Sequence, residues 1–158
     1  DYWDRSRAVL RYDFAGLLRR LGSRKTWVIL WVISLFAAIL SWPGLPAEIP
    51  IQWNHGEAVS MAPKVCIFVY PAVTIVWRMI LIPWLYLTFW NKPDGSLIVE
   101  YTVNGICFAG LTVEIFTVFY AHGMVPFGVF PVLAADAVIL LVLLVLGFWE
   151  LDCRPATE

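Results

Sequence analysis

Four long apolar runs separated by short polar stretches make up most of the chain, and a segment of different pattern precedes them. Over Asp1 to Gly22, Arg5, Arg7, Arg11, Arg19 and Arg20 alternate with Trp3, Leu10, Phe14, Leu17, Leu18 and Leu21. The apolar positions recur at three, four and seven, the spacing of one face of a helix. Residues 1–25 therefore read as a basic amphipathic helix lying in the membrane plane, arginines toward anionic head groups. A solvated helix, or a tail docked on a partner, is the plainer alternative.

Crossing a bilayer as a helix takes roughly 17–25 residues, and four runs meet that length. The first, residues 26–42, has no charge and is bracketed by Trp27 and Trp42, where an aromatic belt would lie. The second, 65–90, contains Pro71, Arg78 and Pro83 and is expected to kink. It ends in Asn91-Lys92-Pro93-Asp94-Gly95, a turn by composition. The third, 98–121, embeds Glu100, Asn104 and Glu114; the fourth, 132–149, is nearly uninterrupted after Asp136 and closes at Trp149. The predicted architecture is all-α and integral to the membrane: four transmembrane helices within residues 26–150, an N-terminal interfacial helix, an ordered outer loop at 43–64 and a tail at 151–158.

Composition agrees with that reading. The 158 residues are 61% hydrophobic and 15% charged, with mean hydropathy +0.76. A soluble domain averages about 45–50% apolar and about 25% charged, and a chain this short cannot hide the excess in one core. The net charge of −1 excludes nucleic-acid binding by bulk electrostatics. Seven of the 11 Lys and Arg residues precede the first span, which predicts a cell-membrane protein with both termini cytoplasmic. The first apolar run has no small-residue cleavage site after it, so no secretory leader is expected. Cys66, Cys107 and Cys153 form no CxxC or Cys/His cluster and read as packing residues.

The loop from Pro43 to Lys64 is the most distinctive stretch. Pro43, Pro46 and Pro50 hold it extended and exclude helix. Asn54 and Gly56 favour turns, and Ile49, Ile51 and Trp53 alternate as if pressing one face on the bundle. The order Leu45, Pro46, Ile49, Pro50, Ile51, Trp53, Asn54, Gly56, Glu57 and Lys64, followed by Pro71 in the next span, resembles a small bacterial membrane domain of uncharacterised function. That domain is often found at the N-terminus of SdpI-like immunity proteins. The resemblance covers residues 26–80, with Gln52 where members commonly carry His. It implies protection of the host membrane against a secreted peptide toxin, with Pro46, Ile49, Pro50, Gln52, Trp53, Asn54, Gly56 and Glu57 as the partner-binding surface. The alternative is a small accessory subunit that stabilises a larger respiratory, photosynthetic or transporter complex. Neither is an enzyme.

Ionisable residues inside a span call for partners, since a lone Arg at mid-membrane costs roughly 2.5–3.5 kcal/mol even on the lenient scale. At ~1.5 Å per residue, Glu114 lies about 10 Å and Asp136 about 6 Å below the outer ends of their helices. Arg78, Glu114 and Asp136 are therefore expected to form one polar cluster, with Asn104 and His122 at its edges. With one Arg against two acids, one carboxyl is expected to keep its proton. The cluster either fixes helix register or serves a proton-linked or peptide-binding site. His55, Glu57 and His122 are too scattered to predict a metal, and no cofactor is expected.

Overall fold

In the computed structural model, residues 14–55, 57–89, 91, 92 and 95–153 are described. Two short segments and five helices follow in the order α1 (Phe14–Leu21), α2 (Arg24–Ser41), β1 (Glu48–Asn54), β2 (Glu57–Pro63), α3 (Val69–Phe89), α4 (Gly95–Ala121) and α5 (Phe130–Cys153). Tight turns at Trp42–Gly44 and Lys64–Phe68 connect the hairpin to α2 and α3. The stretches Arg24–Gly44, Lys64–Phe89, Gly95–Ala121 and Phe130–Glu150 are each long and apolar enough to cross a membrane. Their limits lie within three residues of the expected spans at every end, the largest difference being at the start of the third, which begins at Gly95. The protein is multi-pass.

Helix α4 is the centre of the bundle. Of its apolar stretch 39% is buried, against 11–17% in the other three spans. α2 and α3 pack on it along one side, while α5 meets both α4 and α1. The outward faces of α2, α3 and α5 carry Ile29, Phe36, Leu40, Met79, Leu87, Leu141 and Val145, all exposed. Exposed apolar surface on this scale is what lipid covers, because between hydrocarbon and an apolar side chain there is no hydrophobic penalty.

The described part of the N-terminal segment is short. Residues 1–13, with Arg5, Arg7 and Arg11, lie outside the described residues, as does the tail from 154. α1 turns Arg19 and Arg20 outward and buries Leu18 against Gly147 of α5. Its apolar edge is thus docked on the bundle as well as amphipathic. The α1–α2 corner is tied by polar groups: Ser23 Oγ donates to Arg20 O at 2.7 Å and accepts from the Thr26 amide as the α2 N-cap. Asn104 Nδ2 on α4 donates to Leu21 O at 2.6 Å and Ser23 O at 2.9 Å. Leu21 O is a carbonyl that the end of α1 leaves without a helical donor, whereas Ser23 O, at the α2 N-cap, also accepts from the Trp27 amide at 3.4 Å.

α3 continues through Pro83 and so leaves the Met79 carbonyl without its helical amide partner. The turn to α4 closes with Lys92 N–H to Phe89 O and Gly95 N–H to Lys92 O. Gly95 sits so close to the Phe89 carbonyl that a side chain at 95 would collide with it. Trp90, Pro93 and Asp94 of this turn lie outside the described residues.

Candidate functional site

The loop expected to be merely extended is an antiparallel hairpin. Ile49 pairs with Ala62, Pro50 with Met61, Gln52 with Ser60, Trp53 with Ala58 and Asn54 with Glu57. The pairing slips on both sides of Gln52, so Ile51 on β1 and Val59 on β2 are each left unopposed. Such bulges accommodate a proline such as Pro50, which has no amide to donate to a ladder. They also break the strict alternation expected of Ile49, Ile51 and Trp53. Ile49 is buried and Trp53 half-buried, but Ile51 is exposed with Val59 and Met61. A two-residue connection, His55-Gly56, closes the hairpin, and His55 takes φ +49°. Positive φ at both positions is what such a turn needs to match strand twist. Gly56 itself lies outside the described residues.

Aromatic packing holds the hairpin on the end of α4. The Trp53 ring lies 4.6 Å from Tyr120, edge to face, and 5.5 Å from Phe116, which in turn stacks on Phe127 at 6.0 Å. Beneath it, Ile49 joins Ala38, Leu45 and Ile67 in a buried cluster that seals the bundle. Lys64 N–H bonds Ala47 O at 2.9 Å, and the Lys64 ammonium stands 4.6 Å over the Trp42 ring. Ser60 Oγ donates across the strands to Gln52 Oε1 at 2.7 Å. Pro46, Gln52, Asn54 and Glu57 are exposed; Pro50 is buried and serves the seal rather than the surface.

The expected cluster of Arg78, Glu114 and Asp136 does not form; each takes a different partner. Arg78 binds Glu100 through two hydrogen bonds of 2.9 and 3.0 Å, and its guanidinium lies 4.9 Å over Trp27. Glu114 accepts from Ser34 Oγ on α2 at 2.7 Å. Asp136 accepts from Thr112 Oγ1 on α4. Asn104 serves the α1–α2 corner, and His122 is exposed beyond α4.

Helical geometry accounts for the separation. At 100° per residue, Thr112 and Glu114 point about 160° apart, so Asp136 on α5 and Ser34 on α2 meet opposite faces of α4. Axially, Glu100 and Glu114 are about 21 Å apart. Measured from the α3–α4 turn, Arg78 lies about 16 Å deep, nearer to Glu100 at about 8 Å than to Glu114 at about 28 Å. Ser34 and Glu114 are each seven residues from the hairpin end of their helices, hence level with one another. Trp27, expected in an interfacial belt, is instead turned into the bundle; it stacks on Trp31 with ring centroids 6.5 Å apart.

Further polar groups reach α4 that the sequence reading did not pair. Tyr70 OH meets Thr117 Oγ1 at 3.2 Å, and Tyr101 OH donates to Leu140 O at 2.6 Å. A groove of about 360 Å³ opens between α4 and α5, lined by Ile106, Ala109, Leu133, Asp136 and Leu140 among others. Among the described residues, no three His, Cys, Asp or Glu side chains converge as metal ligands.

Residues 12–75 match the family model of a domain of unknown function, DUF1648. The match takes in α1, α2, the hairpin and the start of α3, so it begins earlier than the expected 26 and ends just short of 80. No curated protein and no solved structure matches the chain.

Proposed function

We propose that this is a non-catalytic protein of the cell membrane that binds a peptide or protein partner on its hairpin. The observation that carries the reading is the hairpin's construction. Trp53 and Ile49 fix one side to α4 and the buried seal, while Ile51, Val59 and Met61 are left exposed on a two-stranded sheet with free edges. An extended partner can add to such an edge through main-chain hydrogen bonds, with side-chain contacts supplying selectivity. A hairpin serving only to plug the bundle would have no need of apolar residues facing away from it.

Charge supports a definite orientation. Arg19, Arg20, Arg24, Lys25 and Lys92 lie at the α1 end, and Lys64 is the basic residue of the hairpin end. The positive-inside tendency favours termini in the cytoplasm and the hairpin outside. A secreted peptide would meet the hairpin first, the role implied by the resemblance to SdpI-like immunity proteins.

A second reading, an accessory subunit of a larger membrane complex, is favoured by the α4–α5 groove beside Asp136. A photo-crosslinking residue placed at Met61 or at Leu141, which lines the groove, separates the two in native membranes. Adducts from Met61 with a peptide or an external domain support the hairpin reading. Adducts from Leu141 with membrane subunits, and none from Met61, overturn it.

A further inference from the structure

Glu114 is 0% exposed, and its two oxygens are treated differently by the fold. Oε2 takes the Ser34 hydroxyl, whereas Oε1 is buried with no hydrogen-bond partner among the described residues. A buried carboxylate needs a cation or several donors, and among the described residues the neighbouring elements supply neither. From α2 comes the neutral Ser34. α3 brings Tyr70, whose hydroxyl goes to Thr117, and Arg78, whose guanidinium is committed to Glu100. β1 brings Trp53, which has no titratable group, and α5 brings Asp136, held by Thr112 on the opposite face of α4. Arg19 and Arg20 of α1 lie at the other end of the bundle, His122 is exposed beyond α4, and Lys64 stands over Trp42. Arg78 and Lys92 are the only Lys or Arg between Lys64 and Arg154.

We propose that Glu114 is a proton-binding site within the membrane, a carboxylic acid that the closed bundle holds in its neutral form. One hydroxyl donor and an unpartnered oxygen suit a neutral acid far better than an anion, because the cost of an unmet hydrogen bond is much smaller than that of an unmet charge. The ligand is the proton. The site lies between the Ser34 face of α2 and the seal formed by Ala38, Leu45, Ile49 and Ile67. Loss of the proton would place an uncompensated charge in that seam, so deprotonation favours separation of α2 from α4.

Dicyclohexylcarbodiimide tests this on the full-length protein in its membrane. The reagent adds across the O–H of a protonated carboxyl and, where water is excluded, rearranges to a stable N-acylurea that retains its whole mass. Peptide mapping should find the adduct on Glu114 at neutral pH, with a yield that falls about tenfold per pH unit above the titration midpoint. Infrared spectra should show a carboxylic-acid carbonyl band that disappears in Glu114→Gln. If that variant fails to assemble, the wild-type adduct and its pH profile decide alone. A folded protein with no adduct on Glu114 around neutral pH overturns the proposal, as does an unchanged carbonyl band in the folded variant.

Discussion

Replacing Glu100 by Gln removes one charge from the Arg78–Glu100 pair while keeping the shape of the side chain. Both side chains are about as exposed as each other, 14% and 15%, so the pair is shielded but not sealed. Breaking a buried pair from one side costs about 3–5 kcal/mol, because the remaining charge is stranded. Residual exposure argues for the lower end, as does an Arg cost of roughly 2.5–3.5 kcal/mol near mid-membrane. Trp27 still faces the guanidinium and offsets about 0.5–1 kcal/mol of the loss. The expected net destabilisation is about 2–2.5 kcal/mol, roughly thirty- to seventyfold in the folded-to-unfolded ratio. Reversible unfolding in mixed micelles, followed by helical circular dichroism, measures it. Arg78→Met combined with Glu100→Gln should recover to within about 1 kcal/mol of wild type, since no charge is left stranded. Two single variants that each cost little, and that add without coupling, would refute the pairing.

Other expectations follow from the same packing. Trp53→Ala removes the hairpin's aromatic anchor and should cost about 3 kcal/mol or less, with hydrogen exchange rising selectively in residues 48–63. Gly147→Ala places a methyl 2.8 Å from Leu18 Cβ and Cδ2 and should cost about 1–3 kcal/mol in the same unfolding assay; Leu18→Ala in the same chain should relieve most of it. Glu114→Gln, a near-isostere of the neutral acid, should cost about 1 kcal/mol or less. A loss as large as that of Glu100→Gln would mean that Glu114 is paired as an anion.

The four spans were legible because each run of apolar residues is long, uncharged or nearly so, and bounded by Pro, Gly or charge. The hairpin was legible only in part. Pro43, Pro46 and Pro50 announced extended chain, and Asn54 with Gly56 announced a turn, but the Glu57–Pro63 strand carries no clean alternation, and its bulge opposite Gln52 erases the remaining signal. Pairing among the polar residues is not legible from depth below the hairpin end, which sets Glu114 and Asp136 near one another and leaves the partner of Arg78 open. Counting instead from the α3–α4 turn brings Glu100 nearest, and rotating by 100° per residue sends Glu114 and Thr112 to opposite faces. Ser34 could have been found by the same count, being level with Glu114. Asn104 could not, because its partners are main-chain carbonyls at a helix corner that no side-chain pattern marks.

Sidedness is the measurement on which the functional account rests most directly. In a chain whose own cysteines are replaced, Val59→Cys and Lys92→Cys should be labelled separately by a membrane-impermeant maleimide in intact cells and in inverted vesicles. The account predicts labelling of Val59→Cys in intact cells only and of Lys92→Cys in inverted vesicles only. Labelling of both from the same side would contradict the four-span arrangement, and the reverse pattern would put the hairpin in the cytoplasm, out of reach of any secreted partner.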